Sequence, residues 1–252
     1  MSEINAMFFD QDGVIVDTER EGHRIAFNRA FAEFGYAVEW DVQAYHDLLQ
    51  VGGGKERMRH HLHTKGFGID IAAEKEDEVI LALHKRKTDI FIEMLEQGAL
   101  PLRPGIHRLM REAADAGLTL GICTTSNERS AEAIRSRLLA DIPFAFVLAG
   151  DMVSKKKPDP EIYDMALEKA GISADNALVV EDSNIGARAA KAAGCQVLAT
   201  VNDYTRGEDL SMADLVVSSL GEKDQPSDLL SAPPAVPWPG HVHLEWLQRI
   251  FS

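Results

Sequence analysis

The chain has 252 residues, of which 45% are hydrophobic and 26% charged, a composition typical of globular proteins with one large or two modest domains. Its 40 acidic and 26 basic residues give a formal charge of −14, which argues against a nucleic-acid partner. No apolar run reaches the roughly 18 residues of a membrane helix, and the N-terminus lacks a secretion signal, so we expect a cytoplasmic protein with no membrane partner.

Six short apolar runs predict the strands of a sheet. The first run, 6–9, stops at Asp10, and the others are 118–123, 146–149, 177–180, 197–201 and 215–217. Helical periods separate the later runs; Ile106, Leu109 and Met110, for example, follow the i, i+3, i+4 spacing of one helix face. This alternation predicts an α/β fold with a doubly wound, Rossmann-like parallel sheet.

The hydrophobic pattern of residues 18–98 predicts helices only. Phe27, Phe31 and Phe34 recur at helical spacing, as do Ile80 and Leu83, and no strand-like run lies between them. We therefore expect an all-helical domain at 18–98, inserted into a discontinuous core formed by 1–17 and 99–252. The chain would cross between the two near 13–18 and 98–104. The Pro- and Ser-rich stretch 222–240 predicts irregular structure, and a last short helix is predicted around 244–250.

Polar residues follow several of the predicted strands. They are Asp10 and Asp12, the hydroxyl cluster Thr124, Thr125 and Ser126, Lys157 before a Pro-x-Pro helix start, and Glu181 with Asp182. Each segment alone is also typical of an acidic turn or a helix N-cap. Together, at the carboxyl ends of parallel strands, they offer the groups that hold an oxygen-liganded cation and a phosphoryl group.

In this order and spacing the four segments resemble the motifs of the haloacid dehalogenase superfamily, and the helical insertion resembles its four-helix cap. Segments 17–19, 23–24, 26–28, 53–57 and 204–208 resemble the CbbY-type phosphatases of that superfamily. The resemblance implies a phosphoric monoester hydrolase that uses Mg²⁺ and acts on a sugar phosphate or bisphosphate, most specifically xylulose-1,5-bisphosphate, a by-product of Rubisco. Gln11 departs from the family pattern of a small apolar residue, and we expect its side chain to point away from the pocket.

The resemblance also implies a role for each motif residue. Asp10 would be the nucleophile that forms an aspartyl-phosphate, and Asp12 the general acid and base. Asp12 must be protonated for the first step, and we expect Asp10 and the incoming phosphate to raise its pKa. Thr124 and Lys157 would bind the phosphate oxygens.

Two further groups of residues complete the implied site. Mg²⁺ would be held by the carboxylates of Asp10, Glu181 and Asp182 and by the backbone carbonyl of Asp12. The substrate would be bound by the hydroxyls of Thr125 and Ser126, by Gly53, Gly54, Lys55 and Arg57 at a second phosphate, and by Glu19, His23 and Tyr45 at the sugar hydroxyls. We expect a monomer.

Other functions remain open at this point. A sugar-phosphate mutase or a broad sugar-phosphate phosphatase would use the same residues on the same scaffold. A dehalogenase is a poorer fit, because a halide leaving group needs no proton from Asp12. A non-enzymatic phospho-receiver also accepts phosphate on an aspartate, but it has no need of an inserted domain of about 80 residues.

Overall fold

The structure is a computed structural model that describes residues 3–231 and 235–251. The predicted ranges 1–17, 99–252 and 222–240 each include a few residues outside this part. Six parallel strands form one sheet in the order β3-β2-β1-β4-β5-β6. They are β1 Ala6–Phe9, β2 Thr119–Cys123, β3 Phe146–Leu148, β4 Ala177–Glu181, β5 Gln196–Thr200 and β6 Leu215–Val217.

Strand β1 lies in the middle of the sheet and is buried along its whole length. Met7 and Phe9 contribute to one apolar cluster and Ala6 and Phe8 to the other, because successive side chains of a strand point to opposite faces. A continuous apolar run is therefore what a strand covered on both faces requires.

Helices cover both faces of the sheet. One face is packed by α5 (Ile106–Asp115), α6 (Glu128–Leu138) and the last helix, α9 (Leu244–Phe251). The other is packed by α7 (Glu161–Ala170) and α8 (Asn184–Ala192). The predicted doubly wound α/β core and the predicted last helix are confirmed.

Four α-helices lie between β1 and α5, within the range 18–98 that the sequence predicts to be helical. They are α1 (Arg24–Glu33), α2 (Val42–Leu48), α3 (Gly54–Lys65) and α4 (Glu76–Glu96), and a π-helical turn, Glu19–His23, precedes α1. Phe27 and Phe31 of α1 pack against the buried Trp40, with ring centroids 4.9 and 5.0 Å apart. The inserted helices thus pack around an aromatic cluster, and the division at residues 18 and 98 remains our proposed boundary.

The two chain crossings lie side by side. Val16 and Leu102 form an antiparallel bridge, and the backbone N–H of Arg103 donates to the Ile15 carbonyl at 2.9 Å. The inserted helices therefore leave and rejoin the sheet through one paired connection.

The C-terminal part returns to the edge of the sheet. Leu229 bridges Val217 in antiparallel fashion, and the described residues of 222–240 contain no helix or strand, as predicted. None of the helices in the described ranges combines the length and the apolar character that a membrane crossing requires.

Candidate active site

Three carboxylates meet where β1 and β4 end. The register pairs Phe9 with Val180, so the next residues, Asp10 and Glu181, lie side by side, and Asp182 follows. One oxygen from each carboxylate lies within 4.8 Å of the others, and all three residues are buried. This position, between strands whose connections run in opposite directions, is where open α/β sheets bind ligands.

A lysine balances part of this negative charge. The Lys157 Nζ lies 2.6 Å from Asp10 Oδ1, 2.6 Å from Glu181 Oε1 and 2.9 Å from the Cys123 carbonyl. Burial lowers the pKa of Lys157, but the charges of Asp10 and Glu181 outweigh burial and raise it, so the ammonium stays charged. Of the lysine run 155–157, only Lys157 reaches the carboxylates, because Lys155 and Lys156 pair with Asp159 and Asp151.

One positive charge does not balance three carboxylates. Burial raises the pKa of Asp10 to about 8, and the charges of Glu181 and Asp12 add to this effect despite the opposing charge of Lys157. Burial, followed by the charges of Asp10 and Glu181, also raises the pKa of Asp182 well above its ordinary value. Closely spaced oxygens with excess negative charge form a donor set that suits Mg²⁺.

The Asp12 carboxylate is not part of this cluster, and the predicted contribution of Asp12 to the metal site is its backbone carbonyl. Thr18 and Ser126 donate hydrogen bonds to the carboxylate, and His23 Nε2 lies 3.0 Å from it. Burial raises the pKa of Asp12, but His23, Ser126 and Thr18, which all contact the carboxylate, lower it below the ordinary value. The expected raising effect of Asp10 is therefore wrong for this structure, because the sequence did not show these three contacts, and the effect of an incoming phosphate stays a prediction.

The predicted hydroxyl cluster follows β2. Thr124 is buried, and its backbone N–H donates to the Leu148 carbonyl at 2.9 Å. Its Oγ1 accepts a hydrogen bond from the Ser126 N–H at 3.0 Å. Thr124, Thr125 and Ser126 all line the cavity above the carboxylates. Helix α6 begins directly afterwards, and the side chain of Asn127 caps it.

The inserted helices form the opposite wall of this cavity. Tyr45 donates its hydroxyl to Glu19, and Arg57 Nη1 donates to the Tyr45 oxygen at 3.1 Å and lies 3.9 Å from Glu19. Gly53 and Gly54, at the start of α3, line the same cavity. Every predicted cap residue except Lys55 thus lies at or directly behind the cavity wall.

Lys55 lies elsewhere in this structure. Its ammonium pairs with Asp151 in the turn after β3, and it does not line the cavity above the carboxylates. The Lys55 side chain is 23% exposed and that of Asp151 62% exposed, so the pair is weak and water-screened. The predicted contact of Lys55 with a second phosphate would require Lys55 to leave Asp151.

Sequence reasoning missed Lys87 and Asn202 at the site, in addition to Thr18 beside Asp12. Lys87 of α4 is buried, and its Nζ lies 3.0 Å from His23 Nδ1, on the other side of the ring from Asp12. Asn202, after β5, donates from Nδ2 to Asp182 at 2.7 Å. Lys87 follows Leu83 by four residues, and this position on the apolar stripe of the helix was the available signal.

The whole-chain comparisons agree with this geometry. A family model described as haloacid dehalogenase-like hydrolase matches residues 4–194. The chain belongs to this family. A CBBY-like protein of Arabidopsis thaliana is 44% identical to this hydrolase over 222 residues, which cover 86% of the chain and 70% of the relative. The predicted family, and the predicted enzyme class of phosphatase within it, are confirmed.

Two crystal structures of CbbY from Rhodobacter sphaeroides share the fold of this hydrolase, each with a TM-score of 0.79 and covering 86% of this chain and 94% of the other. One is a complex with phosphate, at 37% identity. The other is a mutant in complex with xylulose-1,5-bisphosphate, at 38% identity. The hydrolase is thus a CbbY-like member of its family, with the inserted helices included in the match.

Proposed function

We propose that this hydrolase is a Mg²⁺-dependent phosphatase that acts on xylulose-1,5-bisphosphate through an aspartyl-phosphate. The observation that carries the proposal is the meeting of Asp10, Lys157, Glu181 and Asp182 below a cavity whose other wall is formed by inserted helices. The complex of the CbbY relative with xylulose-1,5-bisphosphate supports this sugar as the substrate.

Asp10 is the proposed nucleophile. Its carboxylate attacks phosphorus, the bond to the sugar oxygen breaks, and an aspartyl-phosphate forms. Lys157 and Thr124 bind the phosphate oxygens, and Lys157 also reduces the repulsion between Asp10 and the incoming anion. Mg²⁺ held by Asp10, Glu181 and Asp182 would supply further positive charge to the phosphoryl group.

Asp12 is the proposed acid and base. It protonates the departing sugar oxygen and then accepts a proton from the water that hydrolyses the aspartyl-phosphate. Because His23, Thr18 and Ser126 hold its pKa low, Asp12 must gain a proton as the substrate binds. A phosphate dianion beside Asp12 raises the pKa of the carboxyl, so substrate binding favours the protonated acid.

The inserted helices are proposed to bind the remainder of the substrate and to exclude water. Glu19, Tyr45 and Arg57 form a connected polar group that would bind sugar hydroxyls and the second phosphate. The start of α3 at Gly53 and Gly54 lines the cavity and would add backbone N–H donors for the substrate. We keep cytoplasmic location and a monomeric state as predictions.

The test is a phosphate-release screen over sugar mono- and bisphosphates, with and without Mg²⁺, using Asp10→Asn as the matched inactive control. We expect Mg²⁺-dependent release with xylulose-1,5-bisphosphate preferred. Equal rates on all sugar phosphates would favour a broad phosphatase, and isomer formation without net phosphate release would favour a mutase. A stable phospho-protein with no turnover would contradict the enzymatic proposal.

A further inference from the structure

Arg103 makes an unusual set of contacts at the second chain crossing. Its guanidinium donates to three backbone carbonyls: those of Gly13, Thr200 at 3.3 Å and Val201 at 2.6 Å. The planar guanidinium carries several fixed donors, so it can bind carbonyls of separate segments at once. Arg103 therefore ties the segment after β1 to the segment that ends β5.

Both tied segments support Asp182. Gly13 has a φ of +85°, and a Cβ at this position would collide with the Asp182 carboxylate and the Asn202 amide. The Gly13 backbone is thus one wall of the space that Asp182 occupies. Val201 directly precedes Asn202, whose Nδ2 donates to Asp182 Oδ2 at 2.7 Å.

The Asn202 side chain is fixed in turn by its own loop. Its Oδ1 accepts from the backbone N–H groups of Tyr204 at 2.9 Å and Thr205 at 3.1 Å, which leaves Nδ2 directed at Asp182. The position of Asp182 therefore depends on where the Gly13 and Val201 carbonyls are held.

We infer that Arg103 is a positioning residue that keeps Asp182 in the carboxylate cluster through Gly13 and Asn202. The inference rests on the proposed function, in which Asp182 holds Mg²⁺. Residues that orient metal ligands affect metal affinity strongly. The first consequence of losing the Arg103 guanidinium should therefore be weaker Mg²⁺ binding. Lysine at this position would keep the charge but lacks the geometry to bind all three carbonyls.

The test measures Mg²⁺ binding calorimetrically without substrate, in the wild type and in Arg103→Lys and Arg103→Met. We expect Mg²⁺ affinity to fall by roughly 10- to 100-fold in Arg103→Met. We expect a smaller loss in Arg103→Lys. Thermal unfolding monitored by circular dichroism accompanies each titration.

Arg108→Met is the matched control. Arg108 lies on helix α5, and its guanidinium also donates to a backbone carbonyl, that of Gly221 at 2.7 Å. Its other partners are Glu112 and Glu222, so it contacts none of the carboxylates of the site. We expect this variant to lose stability while it keeps wild-type Mg²⁺ affinity.

The outcomes separate the inference from the proposed function. The positioning role would be overturned if Arg103→Lys, and Arg103→Met where that variant folds, bound Mg²⁺ with wild-type affinity. The phosphatase proposal would then remain intact. An equal loss of affinity in Arg108→Met would also overturn it, because the effect would then be general destabilisation. A wild type that binds no Mg²⁺ would instead overturn the metal part of the proposed function.

Discussion

The Lys87 Nζ lies 3.0 Å from His23 Nδ1, and His23 Nε2 lies 3.0 Å from the Asp12 carboxylate. An ammonium can only donate, so Nδ1 accepts and the ring proton belongs on Nε2, which donates to Asp12. A lysine of helix α4 thus sets the tautomer of the histidine that touches the proposed acid. Placement of the inserted helices and orientation of Asp12 are linked through one imidazole.

Replacing Lys87 is expected to lower kcat and to change the pH profile. Burial lowers the pKa of Lys87 to about 8, against the raising effect of the charges of Asp12 and Glu19, so its charge is lost as the pH rises through about 8. We expect Lys87→Met to reduce kcat by about 10- to 100-fold. This loss is part of the rate enhancement that general acid–base catalysis contributes. A fall in kcat as the pH rises through about 8 should be present in the wild type and absent from Lys87→Met.

Lys87→Arg is the matched control, because the guanidinium keeps its charge across this pH range. Stability gives an independent check. The buried ammonium costs folding free energy below about pH 8, and this cost disappears as the pH rises from about 8 towards the unfolded value of 10.5. An identical pH dependence of stability in wild type and Lys87→Met would contradict the lowered pKa.

Asp10→Asn is expected to abolish phosphate release without unfolding the protein. The substitution removes the nucleophile, but it also relieves repulsion in a site where burial and neighbouring carboxylates raise the pKa of Asp10. Steady-state phosphate release should fall to background, with a thermal unfolding midpoint equal to or above that of the wild type. A variant that keeps more than about a tenth of the wild-type rate would refute the assigned nucleophile.

Lys157→Met is expected to cost several orders of magnitude in kcat. A charged contact ~4 Å long is worth about 4 kcal/mol at an effective dielectric near 20, which corresponds to about a thousandfold in rate. The ammonium contacts both Asp10 and Glu181, so its loss leaves the carboxylates to repel each other. Single-turnover rates at saturating substrate measure the effect, and Lys155→Met, which changes an exposed lysine, should retain the wild-type rate.

Asp151→Asn is expected to lower KM for a bisphosphate. The substitution frees Lys55 from its partner, and the exposed pair is worth at most about 1 kcal/mol, so the gain should not exceed about fivefold. Lys55→Met should raise KM for the bisphosphate and leave KM for the matching monophosphate unchanged. Equal effects of Lys55→Met on both substrates would show that Lys55 does not reach the second phosphate.

Gln11→Met is expected to stabilise the protein. Gln11 is fully buried outside the cavity lining, as predicted, and neither atom of its side-chain amide has a hydrogen-bond partner among the described residues. An unpaired buried amide costs about 1–3 kcal/mol, so methionine of similar length should raise the free energy of unfolding. Urea denaturation measures this change, while kcat should stay near the wild-type value. A loss of stability would mean that the amide is hydrogen-bonded in solution.

The strands and the carboxylate cluster were predictable because they depend on local patterns. A buried strand such as β1 needs a continuous apolar run, and parallel strands place Asp10, which follows β1, and Glu181, the last residue of β4, at one edge. The contacts of Asp12 were not predictable in the same way. Thr18, His23 and Ser126 reach it from both sides of the cavity, and their distances depend on how the inserted helices pack on the sheet.

The contacts of three cationic side chains were also not predictable from the sequence, those of Lys87, Lys55 and Arg103. The sequence identifies each as a cation, but only the packing shows that Lys87 faces His23, that Lys55 pairs with Asp151, and that Arg103 binds backbone carbonyls. A lysine on an apolar helix stripe is a detectable signal, and we did not use it. No comparable signal marks Arg103, because its partners are main-chain atoms.

The bridge between Val16 and Leu102 has a consequence for the history of the fold. Because the chain leaves the sheet and returns to it at adjacent points, any segment with closely spaced ends could be exchanged there without changing the order of the strands. The sheet and the inserted segment can therefore diversify separately, provided that a replacement segment also supplies the contact with Asp12 that His23, held by Lys87, makes here.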